Sequence, residues 1–341
     1  MPPFEDHMDV RPSIRLCDLH IHIGASVAPH ILWSIAHSQG FKLPVKDYWE
    51  FVDLVTANPR KVRNLDDYLR ILHDVTEKIQ SSPAAIERST YEVIGKEYRG
   101  SRVEQIELRF NPMKRNLGGQ RDLDHIIHAA IRGMDRACLE YGVRAGLIFC
   151  LAREFSVELN EIILAKAIKY RHRGVVGIDL AGTETRAVEL NDEVGRYAGL
   201  FRRAREAGLG TTIHTGETPN TDGQGVIAVI KHLRPDRIGH GVRAAYDKDA
   251  LKALVDSNTV LEICPTSNLH TRAVRHLEEF KYILGTFIEH KVPFTINTDG
   301  TYLCSTRLVR ELSLLTESGI LTEAEREAAR KLAFERSFIK N

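Results

Sequence analysis

The sequence predicts a (β/α)8 TIM barrel, in which eight parallel strands alternate with helices. Eight short apolar segments recur along the 341 residues. They show little alternation of apolar and polar residues, which is typical of strands buried on both faces of a parallel sheet. Segments with helical periodicity lie between them, and this alternation favours a barrel. An open, doubly wound sheet is the alternative, but the chain has no G-x-G-x-x-G motif of the dinucleotide-binding kind.

The predicted elements can be placed in order along the chain. The strands cover residues 14–23, 103–110, 143–151, 175–180, 210–214, 237–239, 260–263 and 294–297. Amphipathic helices are predicted over 123–141 and 158–171, where apolar residues recur at spacings of three and four. We expect residues 1–341 to form a single domain.

The gap between the first two strands is unusually long. Residues 25–100 must hold additional helices, with breaks at Pro44, Asn58-Pro59 and Ser82-Pro83. A helical insertion after a barrel strand lies at the face that carries the active site. It is predicted either to cover that site as a lid or only to pack against the barrel.

Composition and charge exclude several classes of protein. The formal net charge is +1 and no basic run reaches five residues, so neither a nucleic acid nor a membrane is predicted as a partner. The five cysteines are scattered, without a C-x-x-C pair, which indicates reduced thiols. Residues 1–12 lack the apolar core of a signal peptide. We therefore expect a cytoplasmic protein, and a homo-oligomer is compatible with this fold.

Polar residues at the ends of the predicted strands indicate the chemistry. In a barrel, the carboxyl ends of all strands open at one mouth. His20 and His22 end the first strand two residues apart, so their side chains point the same way and can reach one metal ion. His214 ends the fifth strand, and Asp299 follows the eighth. Three imidazoles and a carboxylate predict a site for one Zn²⁺ ion, and the same donors also admit Fe²⁺.

Two further residues lie close to this predicted metal site. Glu217 follows His214 by three residues, across a glycine. A carboxylate that is near a metal without binding it suits general acid–base catalysis. His240 ends the sixth strand between two glycines, which indicates backbone that passes close to another group. With the four predicted ligands beside them, these residues favour a metal-dependent hydrolase in which Glu217 serves acid–base catalysis.

Seven segments occur in a characteristic order and spacing. They are His20-Ile-His22, Glu107-Leu-Arg-Phe-Asn-Pro112, Gly177-Ile-Asp-Leu-Ala-Gly182, His214-Thr-Gly-Glu217, Arg237-Ile-Gly-His240-Gly241, Cys264-Pro-Thr-Ser-Asn268 and Asn297-Thr-Asp299. Together they resemble the adenosine deaminase branch of the amidohydrolase superfamily, over about residues 15–334. The resemblance implies that the three histidines and the aspartate bind zinc, and that the reaction is hydrolytic deamination of a purine.

The resemblance also implies individual roles. Glu217 would donate a proton to the ring nitrogen N1, and His240 would take part in activating or stabilising the attacking hydroxide. Gly182 would offer its backbone N–H to the ring near N3. The chemistry is consistent, because zinc lowers the pKa of water to about 7 and so supplies hydroxide at neutral pH. The H-x-E and P-C-x-x-C motifs of polynucleotide deaminases are absent.

Two positions depart from the family pattern. The family follows H-x-H with L-D-G, whose aspartate helps to bind the sugar, whereas this chain has Gly24. The family also has a second aspartate after the eighth strand, near the purine N7, whereas this chain has Gly300. Losing a buried polar contact changes specificity by orders of magnitude. We expect adenosine or a related aminopurine nucleoside or base, bound near Gly182, Gly300 and Thr301, with Thr298 as another replacement for the lost contact.

The residues leave three functions open. The first is the purine aminohydrolase. The second is a metal-dependent hydrolase of another C–N bond or an ester, which the same metal could perform with different pocket walls. The third is a purine-binding sensor without catalysis, which would be expected to lack a metal ligand or Glu217. In addition, the helical spacing of Arg307 and Arg310 predicts either contact with an anionic substrate group or exposure to solvent.

Overall fold

The computed structural model describes residues 14–58, 60–117, 122–183 and 193–340. Within these ranges, eight parallel strands form one sheet in sequence order. They are β1 (Leu16–His22), β2 (Val103–Phe110), β3 (Arg144–Ala152), β4 (Val175–Ala181), β5 (Gly210–Thr215), β6 (Arg237–His240), β7 (Val260–Ile263) and β8 (Phe294–Ile296). The segment after β8 returns to β1, since Asp299 N–H donates to His20 O and His22 N–H donates to Asp299 O, each at 2.7 Å. The predicted TIM barrel is confirmed.

Helices surround the sheet and alternate with its strands. They are α1 (Ile23–Ser26), α2 (Pro29–Ser38), α3 (Tyr48–Leu54), α4 (Leu65–Ile71), α5 (Glu77–Ile79), α6 (Pro83–Ser101), α7 (Leu123–Tyr141), α8 (Val157–Tyr170), α9 (Glu193–Glu206), α10 (Gly223–His232), α11 (Lys248–Ser257), α12 (Pro265–His270), α13 (Leu277–Glu289), α14 (Leu308–Glu317) and α15 (Glu323–Glu335). Helix α7 has the predicted bounds, and α8 lies one residue before its predicted position. Both begin at caps, where the side chains of Asp122 and Ser156 accept backbone N–H groups.

The long insertion between β1 and β2 is helical, as predicted. It holds α1 to α6 and a π-helix, Leu72–Thr76, between α4 and α5. Ser82 caps α6 and Pro83 is its first residue, which explains the predicted break there because proline suits the first turn of a helix. Pro44 lies between α2 and α3, whereas the predicted break at Pro59 lies outside the described residues.

The amino-terminal end of the barrel is closed by a segment near the end of the chain. The side chain of Phe338 packs against Gly177 and Gly210, where a Cβ atom would collide with the ring. The guanidinium of Arg237 stacks on the same ring, 3.6 Å from its centroid. Ser337 donates a hydrogen bond of 2.7 Å to Glu107, which is a residue of β2. The opposite end, where the strands finish, is therefore the end available for a substrate.

Other sequence-based expectations can be compared with the described residues. The cysteines are free thiols, as predicted, and four are buried: Cys17, Cys150, Cys264 and Cys304. No helix in the described ranges has both the length and the apolar character needed to cross a bilayer. The segment 1–12, for which we expect no signal peptide, lies outside the described residues.

Candidate active site

Four predicted metal ligands converge at the mouth of the barrel. One donor atom from each of His20, His22, His214 and Asp299 lies within 4.8 Å of the others. The Nε2 atoms of His22 and His214 are 3.1 Å apart. Asp299 Oδ1 lies 3.6 Å from His20 Nε2 and 3.4 Å from His22 Nε2. His20 Nε2 is buried and has no hydrogen-bond partner among the described residues. A cation between these three nitrogens and one oxygen would satisfy it, and this donor set suits zinc.

Two buried carboxylates orient the histidine rings. Glu262 Oε2 lies 2.7 Å from His20 Nδ1, and Asp179 Oδ2 lies 3.0 Å from His214 Nδ1. A carboxylate at Nδ1 leaves the Nε2 lone pair directed at the metal position. Burial lowers the pKa of His214, which favours the neutral imidazole that binds a metal.

A buried arginine connects the two carboxylates beneath the site. Arg109 Nη2 donates to Glu262 Oε2 at 2.9 Å, and its Nη1 donates to Asp179 Oδ2 at 3.2 Å. Arg237 Nε donates to the other oxygen of Glu262 at 2.7 Å. Burial opposes ionisation of Glu262, but the two guanidinium groups and His20 outweigh it and hold the pKa well below its usual range. The sequence patterns did not predict a role for these residues, although charges inside buried parallel strands are an unusual feature.

Glu217 and His240 lie together beside the histidines. They are 2% and 1% exposed, which excludes a solvent-facing loop glutamate. His240 Nε2 is 3.6 Å from Glu217 Oε2. Thr271 donates to Glu217 Oε1 at 3.0 Å, and Asn268 Nδ2 donates to His240 Nδ1 at 2.9 Å. The His240 ring centroid is 5.0 Å from that of His20. A buried carboxyl group and an imidazole are thus held beside the predicted metal position.

The backbone around the cluster leaves little room for other residues. A Cβ atom on Gly239 would lie 2.8 Å from His20 Cε1 and 3.4 Å from His214 Cγ. His240 and Asp299 have φ angles of 63° and 61°, in the left-handed region that few non-glycine residues adopt. Residue 239 is therefore a glycine because the His20 and His214 rings lie too close to it for a larger residue.

The cluster opens into a cavity whose walls have two origins. The barrel contributes strand-end residues, namely His22, Gly182, His214, Glu217, His240 and Asp299. The insertion contributes Leu65, Tyr68, Leu69, Leu72, His73 and Glu77. The insertion thus forms part of the wall of the site, which favours the first of its two predicted roles, a cover over the active site.

The predicted substrate contacts lie in different places. Gly182 lines the cavity and has a φ of 106°. Gly300 packs behind Asp299, where a Cβ atom would lie 2.5 Å from Ala25 Cβ and 2.8 Å from the Tyr68 hydroxyl. Gly300 is not among the residues that line the described cavity. There is no space for a side chain at residue 300, because Ala25 and the Tyr68 hydroxyl of the insertion already fill it.

The two threonines considered as replacements also lie away from the described cavity lining. Thr301 N–H donates to Ser26 Oγ at 3.2 Å, and the Thr298 hydroxyl donates to Asp18 at 2.6 Å. Contacts of Gly300 and Thr301 with a substrate therefore remain predictions.

The two arginines after β8 are not at the cavity either. Arg310 is exposed. The side chain of Arg307 lies against Gly100, near the end of α6. This position gives no support for contact with an anionic group of a substrate in the described cavity.

Comparison with known proteins gives a consistent result. The model of the family described as "Adenosine deaminase" matches residues 15–341. An adenosine deaminase of Vibrio vulnificus is 31% identical over 308 residues, which cover 90% of this chain and 89% of the relative. The crystal structure of an adenine deaminase from Arthrobacter aurescens superposes with a TM-score of 0.83 at 21% identity, covering 96% and 94% of the two chains. The N6-mAMP deaminase of arabidopsis has a TM-score of 0.81 at 24% identity, covering 96% and 95%. The structural likenesses support the fold, while the family match over nearly the whole chain shows that this protein belongs to the adenosine deaminase family.

Proposed function

We propose that this protein is a zinc-dependent aminohydrolase that converts adenosine, or a related aminopurine nucleoside or base, to the 6-oxo product and ammonia. One observation carries the proposal. Four metal donors lie within 4.8 Å of one another, and three of them, His22, His214 and Asp299, line the same cavity as the buried Glu217–His240 pair. A metal-dependent hydrolysis needs metal ligands, a carboxyl group and a further polar group close together, and this arrangement supports the proposal.

His20, His22, His214 and Asp299 would hold the zinc ion. The buried Nε2 of His20 has no hydrogen-bond partner among the described residues, and this supports the assignment. When bound, zinc would lower the pKa of water towards about 7 and supply a nucleophile at neutral pH. Glu262 and Asp179 fix the rings that bind it.

The remaining chemistry belongs to side chains and backbone around the metal position. Glu217, in its protonated form, would donate to N1 of the purine and so make C6 electrophilic. Thr271 holds its other oxygen. His240, held by Asn268, would orient the attacking water. A C–O bond forms at C6, the hydroxyl proton passes to the amino group as the C–N bond breaks, and ammonia leaves, while the remaining water proton restores the carboxyl group of Glu217. Gly182 would donate its N–H near N3.

The test is ammonia release from zinc-loaded protein. The panel contains adenine, adenosine, 5′-methylthioadenosine and AMP, with simple amides and esters as controls. We expect release from at least one aminopurine, and loss of that activity when a chelator removes the metal. If zinc is bound and no aminopurine releases ammonia, the proposal is contradicted. Turnover of an amide or ester would then support the alternative hydrolase.

A further inference from the structure

The short helix α12 and its carboxyl-terminal cap contact three predicted reactive groups of the site. The three donor side chains are buried. A small shift of this helix would therefore displace a predicted metal ligand, an imidazole and a carboxyl group together. The hydrogen bonds are those of Ser267 to Asp299 (2.5 Å), Asn268 to His240 (2.9 Å) and Thr271 to Glu217 (3.0 Å).

The start of α12 has no cap from its own flank. A single residue, Cys264, separates β7 from the helix, and its side chain makes no cap hydrogen bond. The Cys264 thiol is instead directed at the carbonyl oxygen of Glu262, at 3.6 Å. The first N–H groups of a helix have no partner within the helix, and Pro265 carries no N–H. The N–H of Thr266 therefore needs an acceptor from a distant part of the chain.

Glu311 of helix α14 supplies this acceptor. Its Oε2 accepts a hydrogen bond of 3.0 Å from the N–H of Thr266, and its Oε1 accepts one from the hydroxyl group of Thr306. The N–H of Thr306 donates to Thr301 O at 2.8 Å, so Thr306 is tied to the segment that follows Asp299. One carboxyl group thus joins α12 to the segment after β8.

The position of Glu311 is costly for a carboxyl group. Its side chain is 0% exposed. Burial raises its pKa to about 7, although the hydrogen bonds from Thr266 and Thr306 favour the ionised form. A side chain that only filled this space could be apolar, which would avoid the cost of burying a polar group. The two hydrogen bonds are therefore the reason for a carboxyl group at this position.

We propose that Glu311 is a positioning residue of the reaction, which holds α12 in place and so aligns Glu217 and His240 with Asp299. It acts through the helix, since Glu311 is not among the residues that line the described cavity. The inference rests on the proposed function, because it assigns a task within that reaction. Rates respond strongly to such alignment, and a displacement of about 1 Å can cost about 100-fold.

The experiment compares the wild type with Glu311→Ala and Glu311→Gln. Alanine removes both hydrogen bonds. Glutamine keeps the length of the side chain, and its amide oxygen can still accept from Thr266 while its amide nitrogen donates to the Thr306 hydroxyl. The conservative variant should therefore restore what alanine removes.

Glu279→Ala is the matched control. Glu279 is also a buried glutamate, and it accepts the backbone N–H of Arg275 at 2.8 Å, close to the start of α13. Its other oxygen accepts the hydroxyl of Tyr246 at 2.8 Å. Arg275 and Tyr246 lie outside α12 and outside the lining of the described cavity. Loss of Glu279 should therefore destabilise the protein without moving the site.

Turnover is measured on zinc-loaded protein with an aminopurine that the wild type deaminates. Glu311→Ala should lower kcat by about 10- to 100-fold at unchanged zinc content, because the reacting groups are misaligned. KM should change by less than about threefold, since the lost interaction matters in the transition state. Glu311→Gln should recover kcat to within about threefold of the wild type, and Glu279→Ala should keep the wild-type value.

Hydrogen exchange gives a second readout that does not depend on activity. The amides of residues 266–271 should exchange at least about tenfold faster in Glu311→Ala than in the wild type, because the helix opens more often. Glu311→Gln and Glu279→Ala should show wild-type exchange at these residues.

The outcomes separate this inference from the proposed function. A folded, zinc-loaded Glu311→Ala protein with the kcat of the wild type would contradict the inference, as would an equal loss of kcat in Glu279→Ala. If Glu311→Ala does not fold, Thr306→Val removes one of the two hydrogen bonds at similar volume. Wild-type kcat and wild-type exchange of α12 in that variant would overturn the inference. Absence of ammonia from every aminopurine with the wild type would overturn the proposed function, and the exchange rates would still decide whether Glu311 holds the helix.

Discussion

Glu262 contacts His20 on the side of the imidazole that faces away from the other predicted metal ligands, with 2.7 Å between Oε2 and Nδ1. The same carboxylate accepts hydrogen bonds from two buried arginines, Arg109 and Arg237. It therefore links the orientation of the His20 ring, a predicted metal ligand, to the charge balance inside the barrel.

Replacing Glu262 with Gln should weaken zinc binding by about 10- to 100-fold, the usual effect of losing the partner of a metal-binding histidine. The change also leaves buried positive charge uncompensated, so the free energy of unfolding should fall by about 3–5 kcal/mol. Competition with a chelator and urea unfolding measure the two effects. Asp256→Asn, in an exposed pair with Lys252, is the matched control and should change neither. Unaltered zinc affinity in folded Glu262→Gln would contradict the orienting role.

Glu217→Gln should retain zinc and lose at least about 100-fold in kcat, because a general acid contributes that much or more. The amide keeps the size of the side chain and an acceptor for Thr271, so the fold should be preserved. Metal analysis measures the bound zinc, and ammonia release from the same preparation measures kcat. Turnover near the wild-type rate would show that Glu217 is not the general acid of the reaction.

Gly239→Ala should impair metal binding without touching a ligand directly. The added methyl group would lie 2.8 Å from His20 Cε1, so the ring must move from its position. Gly285→Ala is the control, since nothing lies within 4 Å of its added Cβ in helix α13. It should bind zinc normally and gain up to about 1 kcal/mol in stability, as expected for alanine in a helix. Equal zinc affinity in the two variants would show that the His20 ring tolerates the displacement.

Glu311 should make stability depend on pH. Burial raises the pKa of its carboxyl group from 4.5 to about 7, so the folded state binds this proton more tightly than the unfolded state. The stability associated with that proton is complete below about pH 4.5 and is lost as the pH rises to about 7.

Glu311→Gln cannot ionise and should lose less stability between pH 5 and pH 8 than the wild type, by on the order of 1–3 kcal/mol. Urea unfolding at the two pH values measures this difference. Parallel pH profiles for the two proteins would show that Glu311 does not titrate in this range.

The fold could be predicted because it depends on local patterns. Buried parallel strands and amphipathic helices have distinct periodicities, and all eight strands were located this way, with ends that shift by two residues at most. The convergence of His20 and His22 with His214 followed from the rule that strand ends meet at one mouth.

The groups that support the site could not be predicted in the same way. Arg109 and Glu262 are 153 residues apart in the chain, and nothing local to either residue indicates that they meet. Glu77 reaches the cavity only because a π-helical turn follows α4, and that turn has no clear signature in the sequence. The space behind Gly300 became interpretable only when the neighbouring side chains of the insertion were placed.

The backbone at two strand ends has a consequence for protein engineering. His240 and Asp299 adopt left-handed conformations that cost roughly 1 kcal/mol or more for residues other than glycine. Selection for heat resistance alone should therefore enrich glycine at these positions while abolishing the chemistry. A library sorted only by thermal survival would mark both positions as improvable, together with other described residues of positive φ such as Arg234 and Lys291.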